Sequence, residues 1–355
     1  MSSLFIFIFF VCAFVFTTSS AKKIRMDAKF LENCDNAPTP SLKAVCLQLQ
    51  KIARNSPKPS KNGTDFVDWR SLVPKYLLPR PLPPGGAIFA AHPYDCMTLA
   101  CLCPYFKGKL DRKQICILPN GKPLLMGYRK EYRMLSEDER NRWHQTLAVL
   151  KNSGEYDRMG RIHESVGSGS GAHSGPAFLP WHREFIKRFE IALRLIDPTV
   201  AIPYWDSVMD SYLPDARDSI LFSPIFMGEI DEYGNVVTGP FAYWPTLDGR
   251  SAIWREPARE GALVTEQLIA EVLAQTNVEY VLAYTAPLVG CPYPINYNAL
   301  EYTHSNVHIW VGGHMRPPES STNDPIFFPL HSFIDFIWEM WRQARQSPWS
   351  REHVK

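Results

Sequence analysis

Hydrophobic residues first recur at regular helical spacing near position 136. Ser136 and Glu139 form the pattern S-x-x-E, which is typical of a capping box at a helix start. Trp143 and Leu147 follow with the spacing of one helix face, and Gly154 can end the helix. The pattern predicts an amphipathic helix that begins just after Ser136.

A second apolar stripe follows a glycine-rich loop. Residues 156–163 fit a short helix, and Pro180 occupies a first-turn position of the next one. Asp197-Pro198 would end that helix. Its apolar residues recur on one face: Trp181, Phe185, Phe189 and Leu193.

The rest of the chain predicts two further main helices. Residues 200–290 show no comparable helical run apart from about 265–274. Asn298 can cap a helix that extends to about Val311, with Glu301 reaching back to the cap. A last helix is expected over about 331–345. The sum is a mainly α fold, an antiparallel four-helix bundle with long loops.

Composition agrees with a folded globular protein. The 355 residues suffice for one large or two modest domains, and the chain is 45% hydrophobic and 21% charged. The formal net charge is +2, and no basic tract stands out. We therefore expect no nucleic-acid partner.

The N-terminus predicts export. Residues 4–16 form an uninterrupted apolar run, which is short for a membrane span, and small residues suited to cleavage follow it near Ser20 or Ala21. We interpret 1–20 as a signal peptide, with a signal anchor as the alternative. A secreted protein without membrane attachment is the expectation. The sequon at Asn62 predicts a glycosylated, exposed loop.

The cysteines lie mainly in a proline-rich region over 21–120, ahead of the remaining domain over 121–355. The spacing C-x4-C-x-C-x12-C predicts a disulfide-stapled module in an oxidising compartment. A zinc knuckle is the competing interpretation, although no histidine falls inside the run. Removal of Cys12 with the signal leaves an odd number, and the first two of these flank a short predicted helix: Cys34, Cys46, Cys96, Cys101, Cys103, Cys116 and Cys291.

Six of the ten histidines can be assigned to two groups of three. His304 and His308 are four residues apart and share one helix face, and His331 opens the next helix. The other group combines a short helix, a loop and a long helix: His163, His173 and His182. We interpret the remaining four as structural or surface residues: His92, His144, His314 and His353.

An all-imidazole donor set favours copper or zinc. A binuclear zinc hydrolase would normally have a bridging carboxylate, and no acid is spaced to provide one. Neutral nitrogen ligands also tolerate the change between Cu(I) and Cu(II), so copper is the prediction. Three acids are expected as hydrogen-bond acceptors behind the ligands: Asp206, Glu301 and Asp335.

Four motifs in this order resemble a known family. They are H-x8-H with the embedded FLPWHREF, then PYWD, LE-x2-H-x3-H-x3-GG and DPIFF-x2-H-x3-D, and they span about residues 125–345. The chain resembles the tyrosinases and catechol oxidases, type 3 copper proteins to which mollusc haemocyanin units are similar. Within that family it looks like a secreted animal tyrosinase of the nematode or mollusc kind.

The resemblance implies two copper ions held by the six histidines. It implies oxidation of phenols, o-diphenols or both to o-quinones with O2, in melanin formation or in cross-linking of extracellular matrix or cuticle. It also implies that Glu301 holds a water that deprotonates the phenol, that Phe178 covers the first copper, and that Ser305 tunes activity. The alternatives are a haemocyanin-like oxygen-binding protein and a metal-deficient relative.

Several positions depart from the family pattern. Ser305 stands where members proficient on monophenols often have Asn, which favours diphenol oxidation. Leu330 replaces the first of two adjacent histidines in the DPIFF motif, and Gly171 replaces a cysteine that forms a thioether in many relatives. Relatives often continue into a shielding C-terminal domain, so we also expect either an unshielded site or an incomplete chain.

Overall fold

A computed structural model describes residues 34–55, 90–167, 172–282 and 295–352. The predicted signal peptide, the sequon, Gly171, Cys291 and His353 lie outside these ranges. Among the helices in the described ranges, none has the length and apolarity needed to cross a membrane.

The described chain is mainly helical, with one short antiparallel pair of strands. Strands β1 (Lys109–Leu110) and β2 (Cys116–Ile117) pair with Lys109 opposite Ile117. The helices are α1 (Pro40–Asn55), α2 (Leu99–Leu102), α3 (Glu137–Asn152), α4 (Glu155–Gly167), α5 (Phe178–Ile196), α6 (Ser207–Ser211), α7 (Glu266–Ala274), α8 (Val278–Leu282), α9 (Leu300–Val311), α10 (Phe327–Arg345) and α11 (Pro348–Glu352).

The predicted mainly helical fold is confirmed, and the helices that carry the grouped histidines are α4, α5, α9 and α10. Aromatic contacts hold α5 against α10, because the rings of Phe189 and Phe328 stack with centroids 3.5 Å apart. The Arg183 guanidinium lies 4.1 Å from the centroid of the Trp338 ring and also pairs with Asp335. Apolar and charged contacts thus fix the two helices in one register.

Several helix-end features that the sequence predicts are present in the structure. The Ser136 and Glu139 capping box is present in both directions, as predicted. Gly154 has φ +79°, a left-handed conformation suited to the break between α3 and α4. Pro180 lies in the first turn of α5, also as predicted.

Other helix ends differ from the prediction. The cap at Asn298 is wrong, because α9 begins at Leu300 with Ala299 in the cap position and no side-chain cap bond. Helix α10 begins at Phe327, one turn before the predicted start, and α4 continues to Gly167.

The N-terminal region is stapled by disulfides. The bonds join Cys34 to Cys46, Cys96 to Cys101 and Cys103 to Cys116. The disulfide interpretation is confirmed and the zinc knuckle is wrong, since all four cysteines of that run are oxidised. Cys46 lies within α1 rather than beside it.

A buried ion pair anchors the segment that leads into α10. The side chains of Arg255 and Asp324 are both fully buried and bond in a bidentate manner at 2.6 and 2.9 Å. The Asp324 carboxylate also accepts the backbone N–H of Ile326. The pair therefore fixes the entry into the helix that carries His331.

Candidate metal centre

The fold brings the six predicted histidines together in two groups. Each group offers three ring nitrogens within 4.8 Å of one another, and all six side chains are buried. Among the described residues, side chains converge as metal ligands in these two groups, and both groups consist of imidazoles alone. The groups are His163, His173 and His182, called the first triad, and His304, His308 and His331, called the second triad.

The second triad is built from two helices. His304 and His308 lie one turn apart on α9, and His331 faces them from α10. The Nε2 atom of His331 lies 2.9 Å from Nε2 of His304 and 3.3 Å from Nε2 of His308.

The first triad draws on three separate elements. His163 comes from α4, His182 from α5, and His173 from the loop between them. The Nε2 atoms of His163 and His182 are 3.3 Å apart. The ring of His173 meets the rings of both partners edge to face.

The two triads adjoin each other. The rings of His182 and His331 stack with centroids 4.6 Å apart. Two ions held by the two triads would therefore be neighbours, which is the arrangement of a binuclear centre.

Backbone carbonyls orient two of the ligands. The Nδ1–H of His182 donates to the Phe178 carbonyl at 2.8 Å, and the Nδ1–H of His308 donates to the Met315 carbonyl at 2.7 Å. These bonds leave the Nε2 lone pairs free to face the partner histidines.

Burial keeps the imidazoles neutral. Desolvation lowers the pKa of His173 and of His308 to about 4. The pKa values of the other four histidines are also lowered well below the ordinary range, again mainly by burial. Neutral imidazole is the form that binds a metal.

The nitrogen separations fit a metal ion. Two ligands at about 2.0 Å from one tetrahedral ion lie roughly 3.3 Å apart, and two of the three Nε2 separations equal that value. Unprotonated nitrogens that face one another without a bridging group would repel. An all-nitrogen donor set favours copper, so the residues fit the predicted copper pair.

Phe178 lies between the two triads. It is buried, and its ring centroid is 4.6 Å from that of His182 and 4.8 Å from that of His304. The ring therefore contacts ligands of both triads. Its role as a cover of the first copper stays a prediction.

Glu301 lies beside the first triad although it belongs to the helix of the second. Its carboxylate accepts the backbone N–H groups of Ser174 and Gly175, at 2.5 and 3.2 Å, directly after His173. This contact fastens the His173 loop to α9. The general-base role of Glu301 stays a prediction.

Ser305 lies at the cavity between the triads. Its hydroxyl is 3.5 Å from Nδ1 of His304, and it is the one residue of α9 that is not buried. The cavity has a volume of about 20 Å³. The activity-tuning role of Ser305 also stays a prediction.

Two predicted acceptors serve other purposes. Asp206 caps α6 through the N–H of Val208, and Asp335 forms ion pairs with Arg129 and Arg183. Their prediction as acceptors that orient imidazoles is wrong, because local capping and charge pairing engage the carboxylates. A role in orienting water stays a prediction.

The histidines predicted to be structural behave as such where they are described. Nδ1 of His314 accepts the Trp254 N–H, His144 bonds the Tyr132 hydroxyl, and Nδ1 of His92 accepts a backbone N–H. The motif PYWD is also structural, since the Trp205 indole N–H donates to Asp210.

Sequence reasoning missed the contribution of α1 to the site. Gln48, Leu49 and Ile52 line the cavity together with five of the six histidines. Ser174, which joins α1 to the His173 loop, was missed as well. No local pattern marks these residues, because their partners lie more than 100 positions away.

Comparisons with known proteins agree with this geometry. The family model described as the common central domain of tyrosinase matches residues 153–344. A tyrosinase-like protein of Caenorhabditis elegans is 44% identical over 324 residues, covering 90% of this chain and 45% of the relative. A tyrosinase of Streptomyces glaucescens is 35% identical over 242 residues, covering 61% of this chain and 83% of the relative.

The fold has a counterpart among solved structures. A polyphenol oxidase of Thermothelomyces thermophila aligns with a TM-score of 0.51 at 22% identity, over 68% of this chain and 77% of that one. The chain spans about half the length of the animal relatives that it matches. The family match covers every histidine of both triads, and the chain belongs to the tyrosinase family, whose members bind two copper ions.

Proposed function

We propose that the chain is a secreted copper oxidase that converts phenols, o-diphenols or both to o-quinones with O2. The observation that carries the proposal is the pair of buried, neutral histidine triads in direct contact. When bound, the copper pair supplies O2 binding and two-electron oxidation. The likeness to a bacterial tyrosinase supports this class of reaction.

The protein's own residues provide the surroundings of the reaction. Stacked and edge-to-face aromatic rings around the triads exclude water, which strengthens electrostatic interactions at the metal pair. Phe178 packs against both sets of ligands and holds them at a fixed separation.

The substrate end of the cavity is polar at Ser305. The Ser305 hydroxyl donates and accepts hydrogen bonds through one oxygen atom. An Asn amide would instead accept through its oxygen and donate through its nitrogen. A phenol must lose its proton before oxidation, and an o-diphenol loses it more readily. We therefore expect o-diphenols as the better substrates.

The test is O2 consumption by the copper-loaded protein, first with catechol and then with phenol. Oxidation of catechol with slow or absent oxidation of phenol is the expected result. Ser305→Asn should then raise the phenol rate relative to the catechol rate. Two bound coppers and reversible O2 uptake without oxidation of catechol would contradict the proposal.

An oxygen-binding protein without turnover is the second candidate. The size of the cavity favours it, since about 20 Å³ admits a molecule of the size of water or O2. The same O2 measurement separates the two candidates.

Secretion is the remaining part of the proposal and is supported by the apolar N-terminal run and by the disulfides. Mass spectrometry of the protein recovered from the medium of expressing animal cells should show a mature N-terminus near Ala21 and a glycan on Asn62. A protein retained in the cells with its N-terminus intact would contradict secretion.

A further inference from the structure

Helix α1 lies outside the residues that match the tyrosinase domain, yet it forms part of the copper cavity. Leu49 and Ile52 are each 3% exposed, and with Gln48 they line the space next to His304 and Ser305. A segment beyond the family domain therefore closes one side of the site.

The space left beneath α1 is too small for an aromatic ring. Its volume is about 20 Å³, whereas a single water needs roughly 10–15 Å³. Room for an aromatic ring next to the histidines therefore requires movement of the residues that line this space, α1 among them.

Specific bonds fasten α1 to both rims of the cavity. The Ser174 hydroxyl donates to the Leu49 carbonyl at 2.9 Å, and Ser174 directly follows His173. On the other rim, the Gln48 amide donates to the Arg316 carbonyl at 3.0 Å. Both rims lie next to copper ligands, so movement of α1 opens the site directly.

The apolar contacts of α1 are separate from the main core. Val45, Leu49 and Ile52 pack with the Cys34–Cys46 disulfide against Tyr302 and Ile309 on the outer face of α9. The main cluster of buried residues does not include this group. Movement of α1 would therefore uncover Tyr302 and Ile309 of α9 but would leave the main cluster of buried residues in place.

We propose that α1 is an N-terminal lid that keeps the copper site closed to phenols and admits them only when it moves away. The inference rests on the proposed function, because it names the regulation of the same site. A binding site that is open for only a fraction of the time shows an affinity reduced by that fraction. Any change that weakens the docking of α1 should increase the affinity for ring-sized ligands.

The test compares leucine truncations on opposite faces of α1 in the full-length, copper-loaded chain. Leu49→Ala removes a buried contact with α9, whereas Leu47→Ala removes a side chain that is 51% exposed. Gln48→Ala removes the bond to Arg316 and part of the cavity wall, and it covers the case in which Leu49→Ala does not fold. The probes are benzoate, which contains a ring and is not oxidised, and azide, which is small enough for the closed cavity.

The lid predicts that Leu49→Ala binds benzoate about tenfold more tightly than the parent and Gln48→Ala about threefold more tightly. Azide affinity should change less than twofold, and Leu47→Ala should match the parent with both probes. Equal benzoate affinity of the parent, Leu49→Ala and Gln48→Ala would overturn the lid.

Catechol turnover reports separately on the proposed function. If Leu49→Ala binds benzoate more tightly but oxidises no catechol with two coppers bound, the lid stands and the oxidase function fails. If the parent oxidises catechol and neither variant raises the turnover or the benzoate affinity, the function stands and the lid fails.

Discussion

The two triads hold the same ligands on different kinds of support. In the second triad, helix geometry places His304 and His308 on one face of α9, and α10 brings His331 against them. The first triad depends on a loop for His173, between helices that carry His163 and His182. A helix pair positions its ligands through its own backbone, whereas a loop ligand needs outside contacts.

Those outside contacts come from the second triad's helix. Glu301 on α9 accepts the N–H groups of Ser174 and Gly175, immediately beyond His173. The first triad thus relies on α9 for the position of its loop ligand. The position of His173 therefore depends on a contact from the second triad's helix, whereas helix geometry alone places His304 and His308 on one face.

Loss of one ligand should have the largest effect. His331→Ala and His173→Ala should each reduce bound copper from two ions to about one per chain and reduce catechol oxidation to background, since both ions are needed. Metal analysis and O2 consumption provide the measurement. His92→Ala, at an exposed histidine outside the site, should keep both ions. Retention of two ions by either ligand variant would contradict the assignment.

Phe178→Ala should weaken both triads together. Removal of a buried Phe costs about 3–5 kcal/mol of unfolding free energy, and this ring contacts ligands of both sites. Denaturant unfolding of the copper-free protein measures the loss. Phe336→Ala, at a ring that is 44% exposed, should cost less than about 1 kcal/mol. A copper titration that shows weaker binding at the first triad alone would contradict a joint effect on both triads.

Acid should destabilise the copper-free protein through both triads. The pKa values of His173 and His308 are about 4 in the fold and about 6.5 in an unfolded chain. Between about pH 4 and pH 6.5 the unfolded state therefore binds more protons than the folded state. The free energy of unfolding falls as the pH drops through this range.

Thermal unfolding at pH 7 and pH 5 checks the acid effect. The midpoint of the copper-free protein should fall by about 5 °C. His173→Ala and His308→Ala should each reduce the pH effect by a similar amount. No pH effect in the copper-free protein would contradict the neutral, buried state of both triads.

Glu301→Gln should have the smallest and most selective effect. The amide keeps the size of the side chain but loses the charge and one acceptor oxygen, so the His173 loop is held less firmly. Loss of a residue that orients a metal ligand typically lowers the metal affinity about 10–100-fold. Copper titration should show that loss at the first triad and none at the second.

A matched change tests the Glu301 result. Glu260→Gln, at an exposed glutamate, should leave both copper affinities unchanged. If Glu301→Gln keeps both affinities and slows only the oxidation of phenol, the general-base role is correct and the positioning role is wrong.

The sequence was sufficient where short-range patterns determine structure. The four-residue spacing of His304 and His308 and the capping box at Ser136 both follow from helix geometry, and both are present. The two groups of converging histidines could be predicted because spacing and motif order agree.

Contacts between distant segments could not be predicted in this way. Glu301 looked like part of a capping box with Asn298, but its carboxylate bonds backbone groups 126 and 127 positions earlier. The position of α1 over the cavity depends on packing against Tyr302 and Ile309, which local periodicity does not reveal. Tertiary packing, rather than local preference, decided these features.

Anomalous diffraction at the copper edge, from crystals of the copper-loaded protein, tests the binuclear centre most directly. We predict two peaks about 3.5–4 Å apart, each about 2 Å from the Nε2 atoms of one triad. A single peak, or two peaks of which one lies away from a triad, would contradict the account.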